Sequence, residues 1–97
     1  MPTFIALANF TDQGVKTVKD SVNRADAVKA MGEKFGVKLK DIYWTMGAYD
    51  LLAIFEAPDG PTISAFSLAI AGAGNLRSQT LRAFPKDEMK EILKKLP

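Results

Sequence analysis

The chain contains no cysteine and no histidine among its 97 residues. Without cysteine there is no disulfide, thiolate nucleophile or cysteine-ligated metal, and this composition is typical of a cytoplasmic protein. Without histidine the chain lacks the side chain that supplies most metal sites and most acid–base catalysis near neutral pH. We therefore expect no metal and no organic cofactor. Any chemistry must use carboxylate, hydroxyl, phenol, amine or guanidinium groups.

A strong charge of one sign is also missing, since 13 Lys and Arg residues against 11 Asp and Glu residues leave a net charge of +2. That excess is too small to predict binding to nucleic acid or to a membrane surface. The first ten residues lack the basic region and cleavage site of a signal peptide. The longest apolar-rich run, residues 63–76, is too short to span a bilayer. We therefore expect neither nucleic acid nor membrane as a partner.

What the chain does contain is an alternation of strand-like and helix-like segments. The predicted strands are residues 3–9, 37–45, 49–57 and 75–84. The predicted helices are a long one that follows Thr11 or Asp12 and ends at Gly36, one over residues 63–71 capped by Thr62, and one that follows Pro85. We expect a break or kink in the long helix at residues 21–23, because Ser and Asn there compete for backbone hydrogen bonds.

The order of these segments is βαββαβ with an additional C-terminal helix. This split βαβ pattern predicts an α+β, ferredoxin-like fold, in which four antiparallel strands form one sheet and two helices cover one of its faces. A chain of 97 residues has the length of one small domain, so we expect residues 1–97 to form a single domain.

The predicted strands are apolar on both faces. In the third strand Leu51, Ala53 and Phe55 alternate with Leu52 and Ile54. A sheet with helices on one side and water on the other would alternate apolar with polar residues. Because the helices cover one face, the second face is expected to pack on another copy, giving a homodimer or larger homo-oligomer. The alternative is that the long or the C-terminal helix reaches round to cover it.

The middle helix, ISAFSLAIAG from residue 63 to residue 72, has no charged side chain. A helix that is apolar all round is typically buried all round. It is therefore expected either to line a pocket or to form a second interface.

Polar and aromatic residues near the ends of the predicted strands are the candidate ligand-binding residues. They are Asn9, Tyr43, Trp44, Tyr49, Asp50, Arg77 and Arg82. Asp50 is the candidate catalytic acid or base if its neighbours raise its pKa. The alternative is structural: Tyr49 starts a strand, and Asp50 accepts hydrogen bonds from backbone N–H groups in the hairpin. An ion pair of Asp50 with Arg77 or Arg82 would instead keep the carboxylate ionised.

The aromatic and basic candidates have structural alternatives too. Tyr43 and Trp44 point to opposite faces of the second strand, so one ring can line a pocket, or both can pack in the core. Arg77 and Arg82 lie on opposite faces of the fourth strand, where either can hold an anionic ligand group. Alternatively, the polar character of this strand protects a sheet edge.

The chain also carries an ordered set of short motifs. They are Thr11-Asp12-Gln13-Gly14, Arg24-Ala25, Tyr43-Trp44-Thr45-Met46, Gly47-Ala48-Tyr49-Asp50, Glu56-Ala57-Pro58-Asp59, Gly74-Asn75-Leu76-Arg77 and Thr80-Leu81-Arg82-Ala83-Phe84. With this set the chain resembles the GYD-domain family of small bacterial and archaeal proteins over essentially its full length. The resemblance implies a dimeric α/β barrel, in which two four-stranded sheets close on each other. It implies no reaction, because no activity is common to the family.

Two functions are consistent with these observations. The first is a small-molecule-binding or accessory, regulatory homo-oligomer without metal or organic cofactor. The second is a cofactor-free dimeric-barrel enzyme, an oxygenase or isomerase acting on an aromatic or polyketide-like substrate, with Asn9, Trp44 and Arg82 as polar anchors and Asp50 as base. A pocket of roughly 300 Å³ or more is needed for either small-molecule role. A filled core would leave only interaction or structural roles.

Overall fold

A computed structural model describes the whole chain, residues 1–97. Its strands are β1 (Thr3–Phe10), β2 (Lys38–Trp44), β3 (Leu51–Glu56) and β4 (Leu76–Ala83). They form one sheet in the order β2-β3-β1-β4, and every neighbouring pair is antiparallel. The central strands are therefore β1 and β3, while β2 and β4 are the edges. The predicted ferredoxin-like sheet is confirmed, and so is the edge position of the polar fourth strand.

The helices are α1 (Asp12–Lys16), α2 (Ser21–Phe35), α3 (Gly60–Gly72) and α4 (Lys86–Leu93). The predicted long first helix is divided by a break, as expected, but the break is a 3₁₀ turn at Val18–Asp20, just before the predicted residues 21–23. The reason lies in Arg24, whose Nη1 donates to both the carbonyl oxygen and the Oγ1 of Thr17 at 2.9 Å. These bonds hold the chain in a turn before α2 begins.

The helix caps are set by local hydrogen bonds. Thr11 caps α1 as predicted, because its Oγ1 accepts from the N–H of Gly14 at 3.0 Å. Gly36 ends α2 with φ of 75°, a left-handed conformation that glycine adopts without strain. The prediction that Thr62 caps the middle helix is wrong. Asp59 is the cap, since its Oδ1 accepts from the N–H of Thr62 at 2.7 Å.

The core lies between the sheet and the two helices α2 and α3. Its buried apolar side chains are Phe4, Ala8, Val37, Leu51, Ala53, Phe55, Ala57, Ile63 and Phe66. The Phe66 ring, 1% exposed, packs edge-on against Phe55 with ring centroids 5.4 Å apart. Aromatic pairs favour this geometry over face-to-face stacking. One side of α3 thus fills the core.

The opposite side of α3 is exposed in the single chain, and the second interface that its uncharged sequence predicted stays a prediction. Leu68 is 74% exposed, and the alanines beside it also face outward. The sheet covers only one side of a helix, and this chain has no further layer outside α3. No helix of the structure combines the length and the apolarity needed to cross a membrane.

Candidate functional site

The sheet face opposite α2 and α3, here called the open face, carries a continuous apolar patch. Residues paired across antiparallel strands point to the same side, so they form rows. One row consists of Asp41, Ile54, Ile5 and Leu81, and the next of Tyr43, Leu52, Leu7 and Gln79. The patch is therefore Ile5, Leu7, Tyr43, Leu52, Ile54 and Leu81. It is bounded by polar side chains, an apolar centre with a polar rim that is typical of protein–protein interfaces.

The Tyr49-Asp50 pair precedes β3 rather than starting it, because β3 begins at Leu51. Asp50 Oδ2 accepts from the N–H of Phe10 at 3.0 Å, and the N–H of Asp50 donates to the carbonyl of Ala8 at 2.9 Å. Asp50 thus extends the pairing with β1 by one residue before the start of β3. Its carboxylate accepts a hydrogen bond from a backbone N–H, as the structural alternative predicted, but that N–H belongs to β1 and not to the hairpin.

Tyr49 connects the two edges of the sheet at this end. Its hydroxyl donates to Oε1 of Gln79 on β4 at 3.2 Å, while its carbonyl accepts from Oγ1 of Thr45 at 2.5 Å. The preceding turn depends on Gly47, whose φ of 102° is rare for residues with a side chain. Tyr49 therefore lies at the margin of the open face, where Asn9 and Arg77 are paired in register.

Arg82 lies at the other end of β4. Its guanidinium is 4.6 Å from the ring centroid of Phe84 and 5.7 Å from that of Phe4, and it forms an ion pair with Glu88 at 2.8 Å. These contacts hold the junction between β4 and α4. The ion pairs of the structure include none between Asp50 and Arg77 or Arg82, so the predicted alternative partner of Asp50 is wrong.

Tyr43 and Trp44 point to opposite faces, as predicted. Tyr43 lies on the open face, where its hydroxyl donates to Oδ2 of Asp41 at 2.7 Å. This hydrogen bond and the charge of the carboxylate raise the pKa of the Tyr43 phenol above its ordinary value. Trp44 lies on the helix side of the edge strand, where its Nε1 donates to Oγ of the buried Ser21 at 2.6 Å.

A second exposed apolar group, here called the hairpin patch, consists of Val18, Val22, Trp44 and Met46. The bond from Trp44 to Ser21 places the indole beside the start of α2, where Val18 and Val22 also face solvent. Met46, in the connection that follows β2, is 96% exposed. Tryptophan and methionine are enriched in protein–protein interfaces.

The structure thus brings together four of the seven predicted site residues and separates the other three. Asn9, Tyr49, Asp50 and Arg77 lie at one end of the sheet. Arg82 lies at the opposite end, Tyr43 lies on the open face, and Trp44 lies on the helix side. The four clustered residues face the margin of an open surface, and Asp50 is already bonded to backbone.

The cavity on the helix side, between α2, α3 and the sheet, measures about 60 Å³. Most of its walls are apolar, with Ser21, Arg24, Ser67, Ser78 and Thr80 as the polar exceptions. None of the predicted site residues lines it. Pockets for organic ligands measure about 300–1,000 Å³, so this cavity is too small for one. No buried side-chain polar atom lacks a hydrogen-bond partner, and no group of three carboxylates lies together to hold a metal.

A wider depression of about 420 Å³ lies at the C-terminal end of α2. It is an open region of the surface, lined by Lys29, Glu33, Gly36, Val37, Lys38 and Leu39. Although its volume is larger than that of the helix-side cavity, it lacks the enclosing apolar walls of a ligand pocket. Neither space therefore has the form of a small-molecule site.

A polar junction that the sequence did not predict joins α1 to the start of β4. Oγ1 of Thr11 donates to the carbonyl of Gly74 at 2.5 Å, and Nε2 of Gln13 donates to the carbonyl of Ala73 and to Oδ1 of Asn75, both at 3.1 Å. The motifs containing these residues were visible, but a single sequence does not show that segments 60 residues apart pair with each other. The junction fixes the end of the sheet at which Asn9 and Arg77 lie.

Comparison with known proteins places this fold in a family. The model of the GYD domain matches residues 4–93. A protein of Thermus thermophilus named glutamine synthetase and cystathionine beta-lyase binding protein is 35% identical over 95 residues, which cover 97% of this chain and 100% of the relative. The crystal structure of TTHA0845 from Thermus thermophilus has a TM-score of 0.55 and 22% identity, covering 89% of this chain and 100% of that one. The family match and the curated relative together confirm that this chain belongs to the GYD-domain family.

Proposed function

We propose that this protein is an accessory protein that binds other proteins and acts as a homodimer. The observation that carries the proposal is the contrast between its surface and its interior. The open face exposes an apolar patch with a polar rim, whereas the helix-side cavity measures only about 60 Å³. A small-molecule binder or enzyme depends on a pocket, and a protein-binding protein depends on a surface. The name of the Thermus thermophilus relative, which describes a binding protein for two enzymes, supports the same conclusion.

The open face is the proposed dimer interface. Ile5 and Ile54 lie at its centre and are only half-buried in the single chain. A two-fold axis would place the same patch of a second copy on them, with the two sheets about 10 Å apart. This arrangement is the dimeric α/β barrel that the family resemblance implies.

The hairpin patch is the proposed surface for the partner enzyme. A second copy on the open face would leave Trp44 and Met46 exposed, because Trp44 lies on the other side of the sheet and Met46 lies beyond the end of β2. Interface binding energy is typically concentrated in a few aromatic and other large side chains. Trp44 is also held in one orientation by its bond to Ser21, which lowers the entropic cost of binding.

The test measures binding of the purified protein to purified glutamine synthetase and cystathionine beta-lyase by isothermal titration calorimetry. We expect saturable binding to at least one of the two enzymes. The double variant Trp44→Ala, Met46→Ser should bind about 30-fold more weakly or worse, since hot-spot residues contribute about 2 kcal/mol or more. The matched control is Leu68→Ser, which removes an exposed apolar side chain from α3 and should leave affinity unchanged.

The possible results separate the parts of the proposal. Absence of binding to either enzyme at a concentration of tens of micromolar would contradict the accessory function as stated. Binding that is unchanged in the Trp44, Met46 variant would retain the function and reject the hairpin patch. Small-molecule binding and cofactor-free catalysis remain predictions. The enzyme would depend on Asn9, Trp44 and Arg82 as anchors and on Asp50 as base, residues that do not lie together in this structure.

A further inference from the structure

The helix α4 has a well-formed apolar stripe that its own chain does not cover. Met89, Ile92 and Leu93 occupy about 100° of the helix circumference, the width typical of a helix side that packs against protein, and Leu96 follows just beyond the end of the helix. Yet Met89, Leu93 and Leu96 are 44%, 50% and 65% exposed. No residue of α4 is buried. The sequence therefore builds a packing surface for which this chain supplies no partner.

The position of α4 explains the exposure. The molecule is 52 Å long, whereas a strand of eight residues spans only about 27 Å. Its radius of gyration is 14.5 Å, against about 12.5 Å for a compact chain of this length. The helix α4 shares no more than marginal contact with the other elements. It therefore projects beyond the sheet.

The junction before α4 holds this direction. Only Phe84 and Pro85 separate β4 from α4, and proline restricts the backbone there. The Arg82 guanidinium lies over the ring of Phe84 and binds Glu88 in the first turn of α4. A short connection with these contacts favours a projecting helix over one that folds back onto its own sheet.

The area of the open face identifies what α4 meets. Four strands of six to eight residues each turn about half of their side chains, roughly 14 in all, to the open face. A stable, specific interface involves about 20–30 residues per partner, so the open face alone is too small for the proposed homodimer. The helix α4 has eight residues, is about 12 Å long and, with Leu96 just beyond its end, adds roughly four side chains on the side that it presents.

We infer that α4 docks on a second copy of this chain, so that each copy in the dimer receives the C-terminal helix of the other. This inference rests on the proposed homodimer. Each copy then contributes its sheet, its own helix and the surface that receives its partner's helix, which brings the contribution of each copy to about 22 residues, near the usual number. The helix α4 is long enough to reach the second copy, because it begins beside the end of β4 and is longer than the spacing of about 10 Å between packed sheets.

The first test removes the apolar stripe without removing the helix. The variant Leu93→Ser, Leu96→Ser is compared with Lys90→Ser, Lys94→Ser, which places the same residues on the opposite side of α4. Sedimentation velocity over a concentration series should show dimers that dissociate at least about 30-fold more readily in the leucine variant and normally in the lysine variant. Circular dichroism checks that both remain folded. The folding of the sheet with α2 and α3 should be unaffected, because α4 contributes no residue to their shared core.

The second test locates the helix directly. Because the chain has no cysteine, Leu96→Cys can be labelled at a single position with a benzophenone photo-crosslinker. Irradiation of a mixture of isotopically heavy and light copies should give heavy–light cross-links, identified by mass spectrometry. Cross-links confined to one chain, or none at all, would overturn the inference.

The outcomes also separate this inference from the proposed homodimer. If the wild-type protein sediments as a 10.6 kDa particle at micromolar concentration, both are overturned. If the leucine variant dimerises as tightly as the wild type, the role of α4 is rejected. In that case the open face remains the proposed interface, and substitution of Ile54 decides whether it is correct.

Discussion

The two faces of the sheet are similar in sequence and different in their surroundings. Along β3, Ala53 and Phe55 are 3% and 4% exposed beneath the helices, whereas their neighbours Leu52 and Ile54 are only half-buried on the open face. Both sets are apolar. The comparison teaches that an apolar pattern predicts that a face will be covered but not what will cover it. Here α2 and α3 cover one face, and no helix of this chain covers the other.

The largest expected effect comes from placing the same charge on the two faces of β3. Ala53→Asp would bury a carboxylate beside Phe55 and Ile42 without a partner, and we expect a loss of about 3–5 kcal/mol in the free energy of unfolding. Ile54→Asp should lower that free energy much less, because its side chain can reach water in the single chain. Its effect should instead be on association, since a charge would lie at the centre of the proposed dimer interface.

Urea denaturation and sedimentation velocity on both variants check this comparison. Ala53→Asp should unfold at a much lower urea concentration than the wild type. Ile54→Asp should stay folded and sediment as a monomer. If Ile54→Asp unfolds as readily as Ala53→Asp, the two faces do not differ in the way described. A folded, dimeric Ile54→Asp variant would reject the open face as the interface.

The fold was predictable because its determinants are local in the chain. Strand alternation, the helix spacing of apolar residues, and the cap residues Thr11 and Gly36 each act within a few positions. The errors also have local causes. The bonds from Arg24 to Thr17 moved the helix break, and Asp59 displaced Thr62 as the cap because its carboxylate reaches the Thr62 N–H.

The candidate site was less predictable because its determinants join distant segments. Asp50 bonds Phe10, which is 40 positions away, and Tyr49 bonds Gln79, which is 30 positions away. A single sequence records the residue types but not these pairings. Arg82 illustrates the consequence, since its charge suggested a ligand group, while the structure shows it paired with Glu88 at the start of α4.

A smaller effect is expected where the helix layer joins the sheet. A Cβ at Gly14 would lie 2.1 Å from the carbonyl oxygen of Asn75, so α1 and the start of β4 can approach this closely only with glycine there. We expect Gly14→Ala to cost about 1–3 kcal/mol in the free energy of unfolding, because backbone must move to relieve the contact. The measurement is the urea concentration at the midpoint of unfolding, and it reports stability as long as the slope of the unfolding free energy against urea concentration is the same in variant and wild type.

Gly72 provides the matched control for that substitution. It lies at the end of α3, and a Cβ there would meet no atom within 4 Å. Gly72→Ala should therefore be neutral or stabilise the protein by up to about 1 kcal/mol, through its helix propensity. Equal urea midpoints for the two alanine variants would show that the close approach at Gly14 has no energetic consequence.

The smallest expected effect concerns the start of α3, the helix that covers one face of the sheet. Hydrogen bonds from Thr62 hold the pKa of the Asp59 carboxyl below its ordinary value. Because the folded pKa is the lower one, the stabilisation is present above the unfolded pKa and is lost as pH falls through the folded pKa.

Asp59→Ala should therefore lower stability near neutral pH, with a difference that shrinks in acid. Asp59→Asn keeps an acceptor oxygen but cannot titrate, so it should stay close to the wild type near neutral pH and lose less on acidification. Urea midpoints across this pH range check both expectations, and a difference between Asp59→Ala and the wild type that grows in acid would contradict the assigned role of the carboxylate.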